Sequence, residues 1–193
     1  MPALDLYLAP GSSSMAAHIA LQEAGADFRA HALALGNIDT ATPAFRALNP
    51  EGKVPLLLID GRPLHEVAAI LYWVARAYPA ARLLPDDIEA QAHAISWMGF
   101  LAGTVHPARR AGPEEAAAIW QRTETRLGHN AWALGDYSVV DIHLFRLFWR
   151  FRAGTPEAAS LPKLSDHHDR MMARPAVQRT LAAEAGMGTG LPR

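Results

Sequence analysis

The hydrophobic pattern changes period once, at residues 79–86, and that change limits the folds open to this chain. Before it, two-residue alternation and helical spacing take turns; after it, only helical spacing remains. Leu4, Leu6 and Leu8 alternate with Asp5 and Tyr7 as in a buried strand, and Ser14 to Gly25 follows with Met15, Ile19 and Ala20 at helical spacing. A second strand fits Phe28 to Leu33 and a short helix Pro43 to Leu48. The run "VPLLLIDGRPLHE" reads as two strands joined at Asp60-Gly61, a dipeptide favoured in tight hairpins. A helix over Glu66 to Tyr78 completes the order β-α-β-α-β-β-α, a small mixed sheet with helices on its faces. The break itself, "PAARLLPD", holds two prolines and interrupts every period. The expected fold is an α/β thioredoxin-like domain over residues 1–79, a linker at 80–86 and an all-α domain over 87–193.

In the second part, helices fit Asp87–Ala108, Pro113–Leu127, Val139–Phe151, Leu164–Ala173 and Pro175–Ala185. The best-marked start is "YSVVDI", where Ser138 can cap the first turn, Asp141 can reach back, and Tyr137 can staple onto Ile142. The tail "GMGTGLPR" reads as loose. Charge and composition then narrow the partners. The chain carries 18 basic against 19 acidic residues and no basic stripe, which argues against nucleic acid or an anionic membrane surface. No apolar run reaches bilayer length and no leader pattern opens the chain, so the expected location is cytoplasmic. There is no cysteine, so disulfides, thiolate metal sites and a protein-thiol nucleophile are excluded. The histidines suggest no metal: His167 and His168 are adjacent, and no HExxH is present.

Taken in order and spacing, "APGSSSMAAHIALQEAG", "NPEGKVPLL", "LHEVAAILYWVA", "SVVDIHLF" and "RMMARPAVQRTLAAEAG" resemble the glutathione transferase family along nearly the whole chain, and its bacterial Beta class most closely. The resemblance implies a homodimer that binds glutathione as co-substrate and serves detoxification. It also assigns residues. Val54-Pro55 matches the family's cis-proline, whose bend leaves backbone groups of Val54 to pair with the cysteinyl part of glutathione. Glu66 and Val67 open a helix, where unpaired N–H groups and the dipole favour the γ-glutamyl carboxylate, with Glu66 facing its amino group. Many relatives have serine where this chain has Val67. Lys53 is placed to meet the glycyl carboxylate. His106 falls on the Beta-class histidine near the glutathione sulfur, and Gly99 on a position that often carries asparagine.

The Beta-class cysteine falls on Ser13, and Ser14 follows it. Serine keeps a hydrogen-bond donor and discards the sulfur, so thiolate activation survives whereas a protein–glutathione mixed disulfide cannot form. Ser13 is the expected thiolate donor and Ser14 the expected helix cap. The family's catalytic tyrosine offers no alternative, because Leu8 holds its place and Tyr7 faces the other side of the strand. The second substrate, a small apolar electrophile, would lie on the helical domain, where Trp97, Phe100, Leu101, Trp149 and Phe151 are candidates. Two other readings stand beside conjugation: a disulfide reductase that works with two bound glutathiones and no protein cysteine, and a non-catalytic relative that serves as a binding protein.

Overall fold

The computed structural model describes residues 1–34 and 39–187, and the tail expected to be loose lies outside them after Met187. The first unit is built on strand β1 (Leu4–Leu8), flanked by β2 (Arg29–Ala32) in parallel and β3 (Leu56–Ile59) in antiparallel, with β4 (Arg62–His65) as the outer partner of β3. Strand β1 has the alternation that its sequence predicts. Leu4, Leu6 and Leu8 are buried on one side, while Tyr7 on the other stacks on His31 at 4.6 Å and meets Phe45. Phe45 comes from the short helix α2 (Pro43–Leu48), whose start is capped by Thr42. The hairpin turns at Asp60-Gly61, both with positive φ, as the tight turn requires.

Helix α1 (Ser14–Glu23) is buried from Ser14 through Leu21, so it has no solvent face to spare over those eight residues. It packs on β1, on α3 (Val67–Ala77) and on α8 (Pro175–Gly186). Each of its buried Leu, Ile or Met side chains contributes about 1.5–3 kcal/mol. A helix that is apolar all round needs cover on every side, and α8 supplies part of it with Ala176, Val177 and Thr180. The first unit therefore comprises Met1–Ala81 together with α8, although helical spacing alone grouped α8 with the preceding helices.

The second unit spans Arg82–Arg174. Helix α4 (Ile88–Phe100) is capped by Asp87, which accepts from the Ala90 N–H at 2.9 Å. The sequence predicts one helix to Ala108, but the α-helical winding ends at Phe100. Leu101–Val105 widens into a π-turn, closed by the His106 N–H on the Leu101 carbonyl at 2.8 Å, and Pro107–Arg110 tightens again. Pro107 explains the end, because it has no N–H to continue the ladder. Helix α6 (Val139–Arg152), buried from Val139 through Phe148, packs on α7 (Pro162–Met172) and α4, and α5 (Pro113–Leu127) reaches it through Trp120 against Phe148 and Phe151. The capping box of α6 forms: Ser138 Oγ takes the Val140 N–H, and Asp141 Oδ2 accepts the Ser138 N–H at 2.9 Å. Tyr137 packs edge-on to Trp132 and carries the Arg174 guanidinium over its ring at 3.5 Å.

Candidate active site

Strand β1 ends in the turn Ala9-Pro10-Gly11-Ser12, closed by the Ser12 N–H on the Ala9 carbonyl at 3.0 Å, with Gly11 at φ +68°. The three serines that follow are not equivalent. Ser14 is fully buried, and its Oγ both donates to the Ala9 carbonyl at 3.1 Å and accepts the Ala9 N–H at 3.0 Å. Since its proton goes to a carbonyl, Ser12 is the donor in the 2.7 Å contact between the Ser12 and Ser14 hydroxyls. Ser14 thus pins the end of β1 and does not cap α1, the place the sequence reading gave it. Ser13 is only part-buried, makes no side-chain cap, and directs its hydroxyl at the Val54 carbonyl, 3.2 Å away.

That bond brings the serine turn against the Val54-Pro55 peptide, which is cis. The Val54 carbonyl, expected to be unpaired, accepts the Ser13 proton. The loop before it is braced by Asn49, whose side-chain amide donates to the Lys53 carbonyl at 2.7 Å, and whose carbonyl oxygen accepts the Glu51 N–H. Gly52 at φ +63° is required there, because a Cβ would come within 2.9 Å of the Thr40 carbonyl. Lys53 itself is exposed and paired with Glu51 at 2.6 Å. Immediately after Pro55, Leu56 is in register with His65, so the next residue out on β4, Glu66, starts α3 at the same end of the hairpin. Glu66 has φ +67°, a conformation that non-glycine residues rarely adopt, and its exposed carboxylate has no hydrogen-bond partner among the described residues. The Ile70 N–H is bonded to the Glu66 carbonyl, and the N–H groups before it, starting with that of the half-buried Val67, lie in the unpaired first turn.

Ser13, Val54, Pro55, Glu66 and Val67 thus cluster at one end of the first unit's sheet. One residue that sequence reasoning missed is joined to them. Glu184 of α8, fully buried, accepts the Gly11 N–H at 2.7 Å and meets His18 Nδ1 at 3.0 Å. Its signal was an acid at a buried position of the helix stripe Val177, Thr180, Glu184.

His106 belongs to the second unit. Burial first, then the charges of Arg146, Arg109 and Arg110, push it down to about 4, and the imidazole is neutral at pH 7. Its neighbour His143, fully buried, is pushed down to about 3 by burial, Arg146 and His106. Of the apolar candidates, Trp97 and Phe100 lie under the Arg126 guanidinium, and Leu101 is wholly buried. Phe151 stacks on Trp120 at 4.7 Å, and the pair lines a cavity of about 350 Å³ with Ala117 and Arg109.

The family models described as "Glutathione S-transferase, N-terminal domain" and "Glutathione S-transferase, C-terminal domain" match residues 12–77 and 99–175. Glutathione S-transferase GstA of Escherichia coli is 30% identical over 94% of this chain and 98% of its own length. The chain belongs to the glutathione S-transferase family. A glutathione transferase homologue from Sulfitobacter, solved with bound glutathione, superposes with a TM-score of 0.86 at 31% identity, covering 97% of this chain and 100% of that one. The bacterial Beta-class transferase of Sphingomonas chungbukensis superposes at 0.81 with 31% identity, over 96% and 100%. Two further relatives widen the chemistry of the family. Disulfide-bond oxidoreductase YfcG of Escherichia coli is 25% identical over 95% of this chain and 97% of its own. A family member from Pseudomonas fluorescens, solved with two glutathiones bound, superposes at 0.81 with 25% identity, over 93% and 92%. Among the described residues, no helix is long and apolar enough to cross a membrane.

Proposed function

We propose that this transferase binds glutathione at the end of the first unit's sheet, stabilises its thiolate with the Ser13 hydroxyl, and conjugates it to a small apolar electrophile. The observation that carries the reading is the Ser13 hydroxyl, part-exposed and 3.2 Å from the carbonyl that precedes the cis-proline. Ser13 has one proton to give, so on binding it would turn from the Val54 carbonyl to the sulfur, and the freed Val54 carbonyl would pair with the cysteinyl backbone. Glu66, whose carboxylate lacks a partner among the described residues, would take the ligand's amino group, and the Val67 N–H at the start of α3 would take the γ-glutamyl carboxylate. Lys53 would turn from Glu51 to the glycyl carboxylate.

The energetics suffice. A free thiol has a pKa of about 8.5, and lowering it by two units takes roughly 2.7 kcal/mol of preference for the anion. A hydroxyl bonded to a charged group supplies about 1.5–3 kcal/mol, and a helix N-terminus adds about 0.3–1 kcal/mol. The thiol proton leaves to solvent first; the thiolate then forms a carbon–sulfur bond with the electrophile, and the displaced electron pair departs with a leaving group or is taken up by the electrophile's π system and protonated from solvent. The part of His106 rests on the Beta-class resemblance alone; as a neutral imidazole it would act as a hydrogen-bond group and not as a cation. A homodimer is part of the same reading, supported by the exposed Ile88 and Ile95 on α4. Calorimetric titration tests the site: glutathione should bind, and Glu66→Ala should weaken it more than Lys53→Ala. No binding at millimolar glutathione would leave the non-catalytic reading as the better one.

A second reading, reduction of a disulfide by two glutathiones, has a specific support. The chain has no cysteine to offer, and its relatives include a disulfide-bond oxidoreductase and a structure with two glutathiones. Two glutathiones would give up two electrons and two protons to the substrate disulfide and leave as glutathione disulfide. Product analysis separates the readings, since conjugation yields a thioether and no glutathione disulfide.

A further inference from the structure

One buried acid beside the serine turn has no part in the chemistry above. Glu184 is delivered from α8, and both its oxygens are engaged inside the first unit, Oε2 by the Gly11 N–H at 2.7 Å and Oε1 by Nδ1 of His18 at 3.0 Å. A carboxylate only accepts, so His18 donates from Nδ1. Burying a carboxylate is costly, and an apolar residue in the same stripe as Val177 would hold α8 to α1 without that cost. What an apolar residue lacks is an acceptor for a turn N–H. The two donors fix its purpose: Gly11 lies before the three serines and His18 after them, and His18 follows Ser14 by four residues, on the same face of α1. One carboxylate therefore grips the serine segment at both ends.

We propose that Glu184 is a positioning residue for the thiolate donor. Its bond to the Gly11 N–H, steadied by His18, holds the Gly11–Ser14 segment so that the Ser13 hydroxyl faces the sulfur of bound glutathione. This rests on the reading of Ser13 given above.

The test compares Glu184→Met, which keeps volume and cannot accept equivalently, with Glu184→Gln, which keeps an oxygen for Gly11, and with Ser13→Ala. The readouts are the thiol pKa of bound glutathione, from thiolate absorbance against pH, and glutathione affinity by calorimetry. Glu184→Met should raise the thiol pKa by roughly one unit, a tenfold loss of thiolate at lower pH, while affinity measured well below the thiol pKa, where the bound sulfur is protonated, stays within about twofold. Glu184→Gln should restore most of that shift. A purely structural role would lower the melting temperature and leave the thiol titration alone. If Ser13→Ala raises the thiol pKa and Glu184→Met does not, the positioning role is overturned and the Ser13 reading stands. If Ser13→Ala changes nothing, the Ser13 reading falls and the positioning role with it. Should Glu184→Met fail to fold, hydrogen exchange on the wild-type protein decides. At a pH above the bound thiol's pKa, saturating glutathione should slow exchange at Gly11 and at Thr180–Glu184 together, by up to about tenfold, because what the thiolate gains from the held turn is returned to it. Protection at Gly11 without protection on α8 overturns the inference.

Discussion

Asp141 in the second unit and Glu184 in the first are built alike. Each is a buried carboxylate that accepts backbone N–H groups and pairs with a buried histidine: Asp141 with His167 at 3.0 Å, Glu184 with His18 at 3.0 Å. They differ in what they hold. Asp141 joins the Ala133 N–H, the Ser138 N–H and the Ser138 hydroxyl, so it ties a loop, a helix start and α7 into the frame of one unit. Glu184 instead grips the turn that carries Ser13. The same chemistry serves architecture in one place and, in our reading, reactivity in the other.

Five substitutions and one titration can break or sharpen that contrast. Asp141→Ala should cost roughly 3–5 kcal/mol in urea unfolding, since it strands several donors in the core, while activity per folded molecule stays unchanged. An activity loss beyond the folded fraction would erase the distinction. Acid comes next. His106 and His143 are held neutral when folded and gain protons when unfolded, so stability should fall as pH drops below about 6.5 and keep falling towards their folded values near 4 and 3 respectively. At about pH 4.5 the fully buried His143 alone accounts for about 3 kcal/mol, and His143→Leu should flatten this part of the pH profile. Ser14→Ala should cost about 2 kcal/mol of stability, because it leaves the buried Ala9 N–H unpaired and removes one of the two bonds to the Ala9 carbonyl, with little change in the bound thiol's titration. Ser13→Ala should do the reverse, raising the thiol pKa by roughly one to two units, equivalent to about 1.4–2.7 kcal/mol, with stability nearly untouched. The smallest effect is at Glu66. Glu66→Gly should stabilise the fold by about 1 kcal/mol by relieving its positive φ, and weaken glutathione binding, as thermal unfolding and calorimetry will show.

The same pair explains how far the sequence could be read. Asp141 was legible because its partner is three residues away and the Ser-x-x-Asp pattern is the interaction. Glu184 was not, because Gly11 is 173 residues away and no pattern spans that distance. Strands β1, β3 and β4 and helices α5 to α7 were legible for the local reason, and the Asp60-Gly61 hairpin likewise. The π-turn at Leu101–Val105 was hidden, since its residues keep helical spacing and only Pro107 hinted at an end. The roles within "SSS" were hidden too. Identical side chains differ there only in what the fold brings beside them, the Ala9 backbone for Ser14 and Val54 for Ser13.

The membership of α8 in the first unit has a consequence in time. A ribosome adds about 5–20 residues each second, so the turn at Gly11 leaves it roughly 10–30 s before its anchor at Glu184 is made. During that interval the whole second unit is synthesised and can fold. The nascent amino-terminal sheet must wait, with one side of α1 uncovered, for the last helix to arrive. An amino-terminal fragment ending before Pro175 therefore lacks more than a helix: it exposes the apolar face of α1 and carries a serine turn with nothing to hold it.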